Sequence, residues 1–165
     1  MRVEEVLMKK KFLLPRSARG QSLVEMAISL VLILWLLSGA AEFAVALFQY
    51  IQLRDAAQEG ALYGSIKPTN FADIETRART ASASPIDLSV GPPDGVTIQI
   101  YVDNVLVRQN GVNTGAVVSA CESHALKVIA SYNHHVFMPF MPQILNITTI
   151  PLEAEVIDTI LTPIC

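Results

Sequence analysis

The stretch RGQSLVEMAISLVLILWLLSGAAEFAVALFQYIQLRDAAQEGALYGS, residues 19–65, decides how this chain is organised. Residues 26–41 contain no charged side chain, and the surrounding apolar run reaches the roughly 20 residues that a helix needs to cross a bilayer. Beyond Glu42 the large apolar residues recur every three or four positions, which is the period of one helix face. The stretch therefore predicts one helix over residues 21–65, with a membrane span at about residues 23–45 and an amphipathic continuation.

Charge is distributed unevenly on the two sides of this apolar block. The leader, residues 1–20, carries six basic and two acidic side chains, whereas six basic and twelve acidic side chains follow Ala41. Basic residues beside a membrane helix hold that end in the cytoplasm. We therefore predict a single-pass protein of the cytoplasmic (inner) membrane, with the leader inside and residues 66–165 outside. The acidic outer part lacks the basic face that nucleic-acid binding requires.

The outer part contains patterns of both helices and strands. Residues 71–83 predict a second, short helix that Asn70 caps, and residues 91–95 and 110–114 read as loops. Alternating apolar residues predict four strands, at residues 96–102, 105–108, 124–137 and 147–160. Pro151 indicates an edge position or a bulge in the last strand. The predicted fold class is α+β: a long N-terminal helix followed by a small antiparallel sheet domain.

The most specific motif stands where the leader meets the helix. The basic leader ends at Gly20, Gln21 follows, and Glu25 lies five positions after the glycine, inside the start of the apolar helix. This arrangement resembles the processing site of type IV pilin-like proteins, in which a prepilin peptidase cuts after the glycine. Met26 departs from that pattern, because an aromatic residue usually follows the glutamate.

Two further motifs narrow the resemblance. Glu42-Phe43 closes the apolar block, and LRDAAQEGA follows at residues 53–61. Together with GQSLVE at residues 20–25, these motifs resemble the TadE-like family of the tight-adherence (Tad) pilus system. The resemblance implies a minor pilin or pseudopilin that supports pilus assembly and surface adhesion, without enzymatic activity or a cofactor. Its implied partners are membrane lipid, the prepilin peptidase, other pilins and pilus assembly proteins. Whether the chain enters the filament or stays at its base is left open.

The resemblance also implies a role for Glu25. After cleavage, Gln21 would carry a new amine, and Glu25 would neutralise the corresponding amine of a neighbouring subunit and so set the register of stacked helices. A carboxylate at this depth is costly in lipid, which favours a functional role. The alternative is an anion that snorkels to the headgroups, close to Arg19.

Ala56, Gly60 and Gly64 form a stripe of small residues on one face of the helix. Such a stripe allows close approach of another backbone, either the protein's own sheet or a neighbouring pilin helix. We expect packing within the chain, because two glycines inside a helix are costly without a compensating contact.

Few residues indicate chemistry in the outer part. Cys121 and Cys165 both lie in the predicted outer domain, where a disulfide is permitted, although two separate thiols are the alternative. Cys121 and His124 with the His134-His135 pair do not predict a metal site, because adjacent strand residues point to opposite faces. No catalytic constellation is visible, so we predict that the chain is not an enzyme.

Two other readings of the helix compete with the pilin reading. It can be a cleaved signal peptide of a secreted binding module, with Ser38-Gly39-Ala40 as the cut site, or the permanent anchor of an unprocessed extracytoplasmic binding domain. An apolar run longer than the 7 to 15 residues usual for a signal peptide argues against the first of these. The first residue of the mature protein separates the three readings.

Overall fold

The computed structural model describes residues 18–138, 141, 143 and 146–162. Helix α1 runs over Ala18–Ile66, 49 residues without interruption, and α2 over Phe71–Thr80. Five strands follow, at Thr97–Val102 (β1), Val105–Gln109 (β2), Val112–Asn113 (β3), Ala125–His135 (β4) and Thr149–Thr159 (β5). They form one antiparallel sheet in the order β3-β2-β1-β4-β5. The predicted α+β class, a long N-terminal helix followed by an antiparallel sheet, is confirmed.

The chain forms two compact units, with the boundary between Ala40 and Ala41. In the first unit the structure describes the N-terminal part of α1 as a helix whose large apolar side chains are exposed, from Leu23 to Leu37. In the second unit the C-terminal part of α1, α2 and the sheet share one core. The second half of α1 therefore belongs to the globular unit.

The core of the second unit lies between the helices and one face of the sheet. Strand β1 points Ile98, Ile100 and Val102 inward, and β4 points Leu126 and Val128 the same way. Helix α1 adds fully buried residues at helical spacing, and α2 adds two more; these are Leu53, Ala56, Ala57, Ala61, Ile74 and Ala78. The alternation along the strands and the three-to-four-residue spacing along the helix are what bring these side chains to a single interface.

Helix α2 ends three residues before the predicted position. Its start is as predicted, because the Asn70 side chain accepts a hydrogen bond from the Asp73 backbone N–H at 3.3 Å. The helix stops at Thr80 rather than residue 83. Ser84 precedes Pro85, which disfavours helical dihedrals, and Ser82 and Ser84 bond locally to each other instead.

The prediction of a loop over residues 110–114 is wrong, because residues 112–113 form strand β3, which pairs with β2 in a hairpin. Asn110 and Gly111 both have positive φ, 45° and 84°, and they connect β2 to the two-residue β3. Asn-Gly is the strongest short hairpin signal because a type I′ turn needs positive φ at both central residues. The same geometry occurs at Asp103 and Asn104, which connect β1 to β2.

Strand β5 lies at the edge of the sheet, as Pro151 indicates. Among the described strands its one neighbour is β4, with Pro151 opposite Asn133. Proline has no N–H to donate, so an edge strand is where it disturbs the ladder least.

Candidate functional site

Gly20, Gln21 and Glu25 lie in the first two turns of α1, and all three are exposed. A Cβ placed at Gly20 would meet no atom within 4 Å. Glu25 stands one turn after Gln21 on the same helix face, because they are four residues apart. Among the residues whose side chains the structure describes, none forms an ion pair with Glu25. The carboxylate is thus available to a partner outside these residues.

The small-residue stripe of Ala56, Gly60 and Gly64 lies against the protein's own sheet and α2. A Cβ at Gly60 would stand 3.2 Å from the Ala78 Cβ, and one at Gly64 would overlap the buried Leu126 side chain. Ala56 is fully buried. A side chain at Gly64 would therefore require Leu126 to move, and one at Gly60 would require a smaller shift of its neighbours.

A buried polar network joins α1 to the end of β4. Glu42 is 6% exposed, and its carboxylate accepts a hydrogen bond of 2.6 Å from Nε2 of His134, which is 2% exposed. The backbone N–H groups of Phe137 and Met138 donate to the same carboxylate, at 3.1 and 2.8 Å. On the other side of the imidazole, Nδ1 lies 2.6 Å from Oε1 of Gln49.

This network supplies hydrogen-bond donors to the carboxylate that stands where the charge-free block of α1 ends. The two ring nitrogens of His134 thus contact Glu42 on one side and Gln49 on the other. A carboxylate held by charge-assisted and backbone donors tolerates burial that an unpaired carboxylate does not. The arrangement holds and shields a charge, and offers no open site for a substrate.

The sequence indicated only part of this network. The alternation of strand side chains predicted that His134 and His135 lie on opposite faces, and His134 is indeed buried while His135 is exposed. The partner of His134 could not be found from the sequence, because Glu42 lies 92 residues away. Glu42 was nevertheless conspicuous as the lone charged residue between Met26 and Leu53.

His124 and Cys121 precede β4 and so lie at the opposite end of that strand from His134. His124 pairs through Nδ1 with Asp103 at an exposed turn, and the hydrogen bond from His124 holds the pKa of Asp103 below its ordinary value. Cys121 is buried, whereas Cys165 lies outside the described residues, so their pairing stays a prediction. Within the described ranges, no three potential ligands come together to hold a metal ion.

A second charge cluster fastens α2 to the β2–β3 hairpin. Glu75 accepts hydrogen bonds from Arg79 at 2.8 Å, Arg108 at 2.7 Å and the Gly111 N–H at 2.8 Å. Burial alone would raise the pKa of Glu75, but these donors outweigh it and the pKa lies below its ordinary value. Arg79 is itself held by the Asn110 side chain and by backbone carbonyls. All of these partners lie within the chain, so the cluster is structural.

Comparison with known proteins gives one match. The family model described as TadE-like protein matches residues 20–62, which include Glu25, Glu42 and most of the small-residue stripe. No curated protein and no solved structure matches the chain. Within the described residues, one helix, Gly20–Ile66, is long and apolar enough to cross a membrane, which fits single-pass anchoring. Residues 20–62 are thus similar to the TadE-like family, as their motifs predicted.

Proposed function

We propose that this protein is a minor pilin, or pseudopilin, of a Tad pilus, and that it supports pilus assembly and surface adhesion. The observation that carries the proposal is the placement of Glu25. It is an exposed carboxylate one turn after Gln21, at the start of a charge-free, exposed apolar helix, inside the segment that matches the TadE-like family.

A prepilin peptidase removes the leader between Gly20 and Gln21 in this proposal. The bond lies in the first turn of α1 that the structure describes. Helix ends open locally at little cost, and glycine lowers that cost further. A peptidase can therefore reach this bond without disturbing the rest of α1.

Cleavage changes the electrostatics of the helix end. The new amine of Gln21 adds a positive charge where the helix dipole is already positive, so a carboxylate close by is favourable. Glu25 of one subunit then pairs with the amine of a neighbouring subunit, and this pair sets how far one helix is displaced along the next. Other pilins and the assembly proteins of the pilus are the partners.

The orientation in this proposal follows from the charge asymmetry. The basic leader stays in the cytoplasm, and the acidic unit lies outside the inner membrane. A disulfide between Cys121 and Cys165 would then form in an oxidising compartment.

The alternative function is an extracytoplasmic binding domain, released by signal-peptide cleavage or held by an unprocessed anchor. The second compact unit begins at Ala41, which is the first residue that cleavage after Ala40 would leave. Cleavage there would remove the first half of α1, with Glu25, and would leave residues 41–62 of the TadE-like segment on the released unit.

The first residue of the mature chain tests the proposal. The protein is expressed with its cognate prepilin peptidase and its N-terminus is identified by intact mass and N-terminal sequencing. We expect Gln21 for the parent and for Gly20→Ala, because alanine is nearly as small as glycine, and a full-length chain for Gly20→Trp. A start at Ala41, or full-length chain in all three proteins, would contradict the proposal.

A further inference from the structure

The part of α1 with a single charged residue extends well beyond the length of a membrane span. Residues 26–53 contain one charged side chain, Glu42. At 1.5 Å per residue these 28 residues extend about 42 Å, whereas the hydrocarbon core is about 30 Å thick. About eight residues therefore lie outside the hydrocarbon core without carrying a charge themselves.

Glu42 does not interrupt the outward surface of this stretch. Its carboxylate is covered by His134 and by the N–H groups of Phe137 and Met138, and only 6% of the residue is exposed. Helix α1 therefore presents the charge to the sheet and leaves its opposite face apolar.

The opposite face of α1 carries large apolar side chains for two more turns. Leu47, Phe48 and Ile51 follow one another at helical spacing, and all three are exposed. Phe43, one turn before Leu47, is 69% exposed. The face becomes charged only at Arg54 and Asp55, both exposed.

A second apolar group lies at the level of Glu42. Phe137 donates its backbone N–H to the Glu42 carboxylate, and 55% of the residue is nevertheless exposed. The sequence contains no charged residue from Val136 to Leu152. Phe137 is thus an exposed apolar residue at the same level of the helix as Glu42.

We propose that the outer lipid–water interface of the bilayer covers the α1 face of Phe43, Leu47, Phe48 and Ile51, together with Phe137. We infer lipid as the occupant because this face continues the membrane helix along the chain with no exposed charge between them. Amphipathic helices insert about 5–10 Å into the headgroup and acyl boundary, and aromatic side chains are enriched at that depth. The Glu42–His134 network then shields a carboxylate that would otherwise face hydrocarbon.

Fluorescence quenching in vesicles tests this placement without a peptidase or a pilus, so its outcome is independent of the proposed function. The chain has one tryptophan, Trp35, which Trp35→Phe removes. In this background Leu47→Trp, Ile51→Trp and Phe137→Trp place a single probe on the proposed surface. Gln58→Trp is the matched control, because Gln58 is exposed two turns beyond Ile51. All four full-length proteins are reconstituted in phosphatidylcholine vesicles, and unchanged amide protection of β4 shows that each has folded.

We expect brominated phosphatidylcholine to quench the first three probes severalfold more strongly than the control, and aqueous iodide to do the reverse. Iodide quenching of Leu47→Trp and Ile51→Trp without lipid quenching would overturn the proposal, because the face would then be in water. Protection from both quenchers that disappears when the protein is diluted with lipid would also overturn it, since a second copy of the chain would then cover the face.

Discussion

The two halves of α1 belong to one helix but bury their side chains in different ways. Up to residue 40 the described large apolar side chains are exposed in the isolated chain, and Glu25, the charged residue of the apolar stretch there, has no ion-pair partner among the described side chains. From residue 41 onward one face is buried under the sheet, and the charged residue that opens this half, Glu42, is fully hydrogen-bonded. The first half thus has to be covered by lipid or by other subunits, whereas the second half packs against residues of its own chain. A variant in the first half should impair assembly, and one in the second half should impair folding.

The largest expected effect is in the first half, at Glu25. If the carboxylate pairs with a neighbouring subunit, Glu25→Gln should abolish piliation while membrane insertion and leader removal persist, because size is kept and only the charge is lost. Electron microscopy of cells carrying the variant alone measures this, with fractionation and mass spectrometry for insertion and processing. Asp55→Asn removes another exposed carboxylate of α1 and should leave piliation intact. Normal piliation with Glu25→Gln would reduce Glu25 to a snorkelling anion.

The second test concerns the second half of α1 and removes His134, the β4 residue that contacts Glu42. Removal of one partner of a buried hydrogen bond to a charged group costs about 1.5–3 kcal/mol, because the carboxylate of Glu42 stays buried with one donor fewer. His134→Ala should therefore lower the free energy of unfolding of the outer unit by that amount, seen as faster hydrogen exchange of β4 amides in detergent micelles.

His135→Ala is the matched control for that test, since His135 is the next residue of β4 and points to solvent. It should change the free energy of unfolding by less than about 0.5 kcal/mol. Equal effects of the two variants would show that the Glu42 network adds nothing to stability.

The smallest expected effect is a loss of stability at low pH, and it concerns the second unit alone. The pKa of Glu75 lies below its ordinary value of 4.5 in the folded chain, so the unfolded chain binds more protons in that range. The stabilisation from Glu75 is complete above pH 4.5 and is lost as the pH falls through the folded pKa. Protection of β2 and β3 amides from hydrogen exchange should decrease over this window.

Glu75→Gln should weaken that protection already at pH 7 and make it less dependent on acid. Glu59→Gln, which alters an exposed carboxylate 3.9 Å from Arg77, should follow the parent protein. If amide protection in Glu75→Gln falls with pH just as it does in the parent, protonation of Glu75 is not the cause of the loss of protection in acid.

Local patterns were enough to predict several elements of this fold. The apolar run and the three-to-four-residue spacing beyond Glu42 predicted α1 to within three residues, since helix formation depends on neighbours along the chain. The Asn70 cap and the edge position of Pro151 also follow from single residues, because each concerns one backbone donor. The Asn110-Gly111 turn was equally local and could have been recognised from its dipeptide.

What the sequence by itself determined is the organisation of the chain: a long helix with an apolar first half, an antiparallel sheet, and a TadE-like segment over residues 20–62. Only the tertiary structure decided that Glu42 meets His134 and that Gly60 and Gly64 face α2 and β4. Composition and periodicity report which face of an element is apolar, because they depend on spacing along the chain. The identity of a contact across 92 residues depends on strand order and register, which only the packing of the helices and the sheet selects.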